Sequence, residues 1–168
     1  MSSKQATRIL GIDPGSRVTG YGVIDRLGNQ YVFVSCGVVK PQQKSFAARL
    51  AEIYNTVDEI IETFQPERFA IEEVFVSINP QSALKLGHAR GVLLLAAVQH
   101  QLEIYEYTPR VIKQAVAGYG NATKAQVQQA VRALLSLSSC PSQDAADALA
   151  VSLCCSNYLD YYDRVSHR

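Results

Sequence analysis

Residues 8–16 constrain the fold of this chain more than any other stretch, because a short apolar run there ends in a single carboxylate. Its three apolar residues, between positions 9 and 12, are too few for a helix and are typical of a buried strand. Pro14-Gly15 ends that strand, so Asp13 is expected at the tip of a core strand, beside a rigidly held cleft. Asp also favours the first position of a turn, and this stretch alone supports the two interpretations equally.

The order of the predicted elements indicates an α/β fold. Three strands joined by short turns open the chain as an antiparallel meander, and strands and helices then alternate. We predict strands at residues 8–13, 19–25, 30–40, 68–75 and 102–107, and helices at 46–64, 80–100, 109–117, 124–135 and 143–159. This order predicts a five-stranded mixed sheet, the antiparallel meander plus two parallel strands, flanked by helices. The 168 residues suffice for one domain, so we expect a single domain over 1–168 with a tail from about residue 160 that can be mobile.

Pairs of glycines mark two places where another segment is expected to approach closely. Gly20 and Gly22 lie inside the second predicted strand. Gly87 and Gly91 lie one turn apart in a helix that is apolar nearly all round, although each glycine costs about 1 kcal/mol relative to alanine there. Such a helix is either central to the fold or buried against a partner subunit. We prefer a homodimer interface to core packing alone.

Composition limits the compartment and excludes some classes of partner. Apolar residues make up 48% of the chain and charged residues 18%, which is typical of a globular protein. The N-terminus lacks the apolar core of a signal peptide, and no apolar run is long enough for a membrane helix. The four cysteines show no metal-like spacing, so we expect a reduced, cytoplasmic protein without a membrane partner. The net charge of +1 gives no sign of a nucleic-acid partner unless the charges are segregated on the surface.

Several carboxylates stand in apolar surroundings. Asp144 and Asp147 are three residues apart at a predicted helix start, so both project from one face. Acids in a first helical turn also complement the helix dipole, which explains Asp144 better than Asp147. In the fourth strand, Glu72 and Glu73 point to opposite faces, so at most one of them enters a given cleft. If these acids converge with Asp13, they need cations, and oxygen ligands of this kind suit Mg²⁺ or Mn²⁺.

Four motifs in this order and spacing resemble the RuvC family of Holliday junction resolvases. They are Gly-Ile-Asp-Pro-Gly-Ser-Arg-Val-Thr-Gly-Tyr-Gly at 11–22, Phe-Ala-Ile-Glu-Glu-Val-Phe at 69–75, Ser-Ala-Leu-Lys-Leu-Gly at 82–87 with Ala-Arg-Gly at 89–91, and Asp-Ala-Ala-Asp-Ala-Leu-Ala at 144–150. The resemblance runs from about Arg8 to Ala150. It implies a ribonuclease-H-like fold and a homodimeric endonuclease that makes symmetric paired nicks in four-way DNA junctions during recombination and repair. The ends left are 5′-phosphate and 3′-hydroxyl.

The resemblance also implies roles for individual residues. The catalytic, metal-binding acids would be Asp13, Glu72, Asp144 and Asp147, and the choice of Glu72 over Glu73 comes from this match. They would hold Mg²⁺, with Mn²⁺ able to substitute and two ions per active site when DNA is bound. The DNA-binding residues would be Phe75, which stacks on unpaired bases, and the basic residues Lys113 and Lys124. The implied partners are the four-way junction, a second copy of the chain and the RuvA–RuvB branch-migration complex.

Two other classes of function compete with a nuclease. An early hairpin with Asp followed by Gly also occurs in phosphate-binding ATPases and sugar kinases, but those enclose their nucleotide with two such domains, and this length holds only one. A junction-binding module without cleavage is the main alternative. A pure binder gains nothing from clustered negative charge that faces DNA, so the presence of all four acids favours catalysis.

Overall fold

The computed structural model describes residues 6–74 and 79–166, with the side chains of the final helix described as far as residue 159. Five strands and five helices follow one another in these ranges. They are β1 Thr7–Asp13, β2 Thr19–Leu27, β3 Gln30–Val39, α1 Phe46–Phe64, β4 Arg68–Glu72, α2 Pro80–Gln99, β5 Glu103–Tyr107, α3 Pro109–Ala117, α4 Lys124–Leu134 and α5 Gln143–Ser166.

The strands form the mixed sheet that the sequence predicts. The strand order is β3-β2-β1-β4-β5. β1 pairs antiparallel with β2, and β2 with β3, whereas β4 is parallel to both β1 and β5. Because β1 and β4 are parallel neighbours, their carboxyl ends meet at one edge of the sheet, so Asp13 and Glu72 emerge there together.

Helices cover both faces of the sheet, and each face has its own core. One core joins the sheet to α3, α4 and α5, with Ile9, Ile24 and Leu149 fully buried in it. The other joins the opposite face to α1 and α2, with Leu10 and Phe69 fully buried. Adjacent residues of β1 enter opposite cores, as the alternation of a strand requires.

Local capping signals define the helix boundaries. Asn79 accepts hydrogen bonds from the first backbone N–H groups of α2, ahead of Pro80. Thr123 and Gln126 form a capping box at the start of α4. Gly118 ends α3 in the left-handed conformation, at φ 90°. Within the described ranges, no helix combines the length and apolar character needed to cross a membrane.

Two element boundaries differ from the prediction. β4 ends at Glu72 rather than at residue 75, because its pairing with β1 ends at Ile71 and its pairing with β5 ends at Glu72. The Glu73 N–H then donates to the Tyr107 carbonyl. α5 continues to Ser166 rather than stopping near residue 159. No glycine or proline occurs between those positions to end the helix.

The α2 glycines are not packed against another part of this chain, so the preferred homodimer interface stays a prediction. Among the described residues, no atom lies within 4 Å of a side chain built at Gly87 or Gly91. That face of α2 lines an open apolar groove, with Leu84 65% exposed and Leu95 49% exposed. Core packing therefore does not explain these glycines.

Candidate active site

Acidic and basic side chains from five elements meet at the edge of the sheet where β1 and β4 end. They line one cavity of about 290 Å³. The four predicted acids and the two predicted lysines all line it: Asp13, Glu72, Asp144, Asp147, Lys113 and Lys124. Apolar residues of α3, α4 and α5 complete the walls, so the charged groups lie in partly desolvated surroundings.

Glu72, rather than Glu73, enters the cavity because of strand alternation. Ala70 and Glu72 share the face of β4 that packs toward α5, whereas Phe69 and Ile71 belong to the opposite core. This agrees with the resemblance, which selects Glu72.

Glycines in β1 and β2 let the start of α5 lie directly on the sheet. Gly20 is the register partner of Asp13, and a side chain added at Gly20 would lie 2.0 Å from the Asp144 carbonyl oxygen. At Gly11 the corresponding distance to the Ala148 carbonyl oxygen is 2.4 Å. Real side chains do not approach so closely, so only glycine allows this contact. The predicted close approach at Gly20 is confirmed, and it brings the acids of α5 beside Asp13.

Asp13, Glu72 and Asp147 hold protons more tightly than free acids, because their pKa values are raised. The pKa of Asp13 is raised to about 8, first by burial and then by the negative charges of Glu72 and Asp147. Protonated Asp13 donates a hydrogen bond to Glu72. Burial also raises the pKa of Glu72 and of Asp147. Free of cations, the cavity is therefore electrostatically strained by its own acids.

The lysines of α3 and α4 oppose this effect. Lys113 and Lys124 both lower the pKa of Glu72 and of Asp147, against the larger effect of burial. The cavity thus has an acidic wall from β1, β4 and α5 and a basic wall from α3 and α4. A phosphate group between the walls would contact cations on one side, while the carboxylates remained available for a metal ion on the other.

The chemistry of the donor set fits a hard divalent cation, although the carboxylates are not arranged as a finished cage. Within the described part of the chain, no three His, Cys, Asp or Glu side chains are already placed to hold a metal ion. Asp13 instead keeps a proton, because burial and the charges of Glu72 and Asp147 raise its pKa. Replacing that proton with a cation would relieve the repulsion that raises the pKa of Asp13.

A family model described as Crossover junction endodeoxyribonuclease RuvC matches residues 9–155. The chain belongs to the RuvC family. It is 50% identical over 153 residues to a curated crossover junction endodeoxyribonuclease RuvC from Aromatoleum aromaticum, covering 91% of this chain and 83% of that protein.

Solved RuvC structures share the whole fold. The Thermus thermophilus RuvC structure matches with a TM-score of 0.84 and 35% identity, covering 93% of this chain and 97% of the other. A structure of T. thermophilus RuvC in complex with a Holliday junction substrate matches with a TM-score of 0.83 and 33% identity, covering 92% and 96%. The ribonuclease-H-like fold that the resemblance implies is confirmed.

Two residues of this RuvC-family chain, Phe75 and Arg90, differ in how far the sequence predicted their place at the site. Phe75, predicted to stack on bases, lies outside the described residues, so its placement stays a prediction. Arg90 was missed. Its guanidinium pairs with Glu106 and donates to the Glu72 backbone carbonyl at 3.4 Å, at the point where β4 ends. Its only sequence signal was its place in the Ala-Arg-Gly motif at 89–91.

Proposed function

We infer that this chain is a Holliday junction resolvase, a crossover junction endodeoxyribonuclease that nicks four-way DNA junctions symmetrically. One observation carries this inference: in a chain of the RuvC family, four acids and two lysines from distant segments line one cavity. The T. thermophilus RuvC that shares its fold has been solved with a Holliday junction substrate. A junction-binding module without cleavage would have no use for these half-buried acids.

We propose that Asp13, Glu72, Asp144 and Asp147 bind Mg²⁺, with Mn²⁺ able to substitute and two ions present when DNA is bound. When bound, these ions supply the positive charge that stabilises the attacking and leaving oxygens of phosphodiester hydrolysis. Asp13 and Glu72 come from the rigid ends of two core strands, so the chain fixes these ligands before DNA arrives.

Lys113 and Lys124 hold the scissile strand against this acidic wall. Each is a point charge lining the same cavity as the acids, so each can contact a non-bridging phosphate oxygen. The apolar residues beside them exclude water and strengthen those contacts. Phe75 would stack on unpaired bases at the junction, and the partnership with the RuvA–RuvB complex stays a prediction from the resemblance.

The direct test is cleavage of a synthetic four-way junction and of a linear duplex with the same sequence, each with Mg²⁺ and with chelator. Paired nicks on the junction alone, and only with metal, are expected. Binding without nicking would favour the non-cleaving module. Neither binding nor nicking would contradict the proposed substrate.

We propose that the open groove of α2 binds a second copy of the chain, placing two active sites in one homodimer. Its small residues, Gly87 and Gly91, allow another helix to approach, and its exposed leucines supply apolar area. A twofold axis through α2 would match the groove with itself, as a closed dimer requires. Such a dimer would make the two symmetric nicks that the resemblance implies.

Leu84→Asp is expected to produce a monomer, since it places a charge in the apolar groove. Sedimentation or light scattering would measure the mass, and the nicking assay would show loss of paired cuts. Leu134→Asp, on an exposed position of α4, is the matched control and should leave the dimer intact. A Leu84→Asp protein that stays dimeric would place the interface elsewhere.

In metal-free buffer, the melting temperature is expected to fall as the pH rises from about 5 to about 8. Folding raises the pKa of Asp13 to about 8, so across this range the folded chain binds more protons than the unfolded chain and loses stability as they leave. A change of several degrees is expected, because 1 kcal/mol moves the melting temperature of a chain this size by about 2–4 °C. Mg²⁺ should restore stability most strongly at pH 8. A melting temperature that rises with pH in chelator would contradict the crowded-acid description.

A further inference from the structure

The hairpin formed by α3, residues 118–123 and α4 is basic beyond the two lysines of the cavity. Between Glu106 and Asp144 the sequence contains no acidic residue and four basic ones: Arg110, Lys113, Lys124 and Arg132. In a chain with a net charge of +1, this is a strong segregation of charge. The segment also supplies the basic wall of the catalytic cavity, so its charge lies where a phosphate backbone would enter.

Arg110 is a further cation on α3, the helix that also carries Lys113. It follows Pro109, which lines the catalytic cavity, and its side chain packs over Gly120. A side chain added at Gly120 would lie 2.5 Å from the Arg110 Cγ atom, so the glycine makes room for the arginine stem. Arg110, Gly120 and Asn121 line a second cavity of about 460 Å³. An exposed arginine is thereby held at a second recess, one residue along α3 from Pro109 of the catalytic cavity.

Tyr119 presents an aromatic ring on the same turn. It stands between Gly118 and Gly120, and its side chain is 43% exposed. Its ring borders a shallow cavity of about 400 Å³ with small residues of α4 such as Ala125. An exposed ring beside segregated cations is the combination with which proteins hold single nucleic-acid strands, through stacking and phosphate contacts.

We propose that this hairpin holds the DNA strand that enters the catalytic cavity, with Arg110 on a backbone phosphate and Tyr119 stacked on a nucleotide. The proposal rests on the proposed junction substrate and adds a contact surface to that site. It gives the two residues different roles. Arg110 contributes charge, which positions the strand, and Tyr119 contributes a sequence-tolerant aromatic surface.

Binding of a fluorescent four-way junction, measured in chelator over a series of salt concentrations, separates these roles. Tyr119→Ala is expected to weaken binding about fivefold or more with an unchanged salt slope, and Tyr119→Phe should stay within about twofold of wild type. Arg110→Gln keeps the stem that packs on Gly120 and is expected to reduce the salt slope by about 1. Phe33→Ala, which removes a ring 38% exposed on β3, is the control and should bind like wild type.

The outcomes distinguish failure of the hairpin from failure of the function. Wild-type affinity for Tyr119→Ala, or a wild-type salt slope for Arg110→Gln, would overturn the hairpin proposal while wild-type junction cleavage still supported a resolvase. Equal loss in Tyr119→Phe and Tyr119→Ala would also overturn it, because stacking needs only the ring. Failure of the wild type to bind any junction would overturn both proposals. If Tyr119→Ala does not fold, the Arg110→Gln slope decides.

Discussion

Replacing Asp13 by Asn is expected to abolish junction cleavage while leaving junction binding unchanged or stronger. Asn has nearly the same shape but carries no charge, so it removes one proposed metal ligand without opening a cavity. Metal stabilisation of a phosphoryl transition state is worth several kcal/mol, and about 1.4 kcal/mol is tenfold in rate. A loss of about 10³-fold or more in cleavage rate is therefore expected. Binding can improve because one negative charge near the DNA is gone.

The same substitution should stabilise the metal-free protein at pH 8. Burial and the charges of Glu72 and Asp147 raise the pKa of Asp13 to about 8, so ionising it in the folded state is unfavourable. The amide of the Asp13→Asn variant cannot ionise, so the fall in melting temperature with rising pH should become shallower. If the Asp13→Asn variant is more stable than wild type yet inactive, Asp13 serves the function of the protein rather than its stability.

Asp25→Asn is the matched control for this experiment. Asp25 lies on β2 and forms a bidentate ion pair with Arg8, at 2.7 and 2.9 Å, away from the cavity. Its replacement is expected to lower stability modestly and to leave the cleavage rate unchanged. Wild-type cleavage by Asp13→Asn would refute the assignment of Asp13 as a metal ligand. Equal loss in both variants would indicate a general effect on the fold.

The sequence could predict the elements of this fold because their signals are local. Capping residues such as Asn79 and Thr123 fix helix starts, and alternation in β4 limits which of Glu72 and Glu73 can face the cleft. The meander and the later alternation of strands and helices then restrict the sheet to few arrangements. The structure confirms the predicted mixed sheet, with an antiparallel meander followed by two parallel strands.

Convergence of the site depends on contacts that local signals do not encode. The sequence showed Asp144 and Asp147 on one helix face, but the helix dipole explained them nearly as well. Only the packing of α5 on glycines of β1 and β2, including Gly11 and Gly20, places them beside Asp13. The basic wall was likewise hidden by the near-neutral total charge, because segregation becomes visible only when α3 and α4 face the acids.

Gly20→Ala is expected to reduce cleavage about 10²-fold although residue 20 carries no chemistry. The added methyl would lie 2.0 Å from the Asp144 carbonyl oxygen and 2.7 Å from its carbon, both backbone atoms that cannot rotate away. The start of α5 must therefore move off the sheet by about 1 Å or more, since ordinary carbon contacts are about 3.5 Å. Asp144 and Asp147 move with it, and a 1 Å misplacement of catalytic groups can cost about 10²-fold.

Gly37→Ala tests whether any alanine in the sheet would have this effect. Gly37 lies on β3 and is the register partner of Tyr21 on β2. A methyl added at Gly37 would lie 2.7 Å from the Cε1 atom of the Tyr21 ring. A ring can turn aside at low cost, so near wild-type cleavage is expected. Cleavage rates at saturating junction, with Mg²⁺ titrations for both variants, give the measurement. Gly20→Ala should need more Mg²⁺ than wild type, since its acids no longer converge. If Gly20→Ala cleaves at the wild-type rate, close packing of α5 on β2 does not set the geometry of the acids.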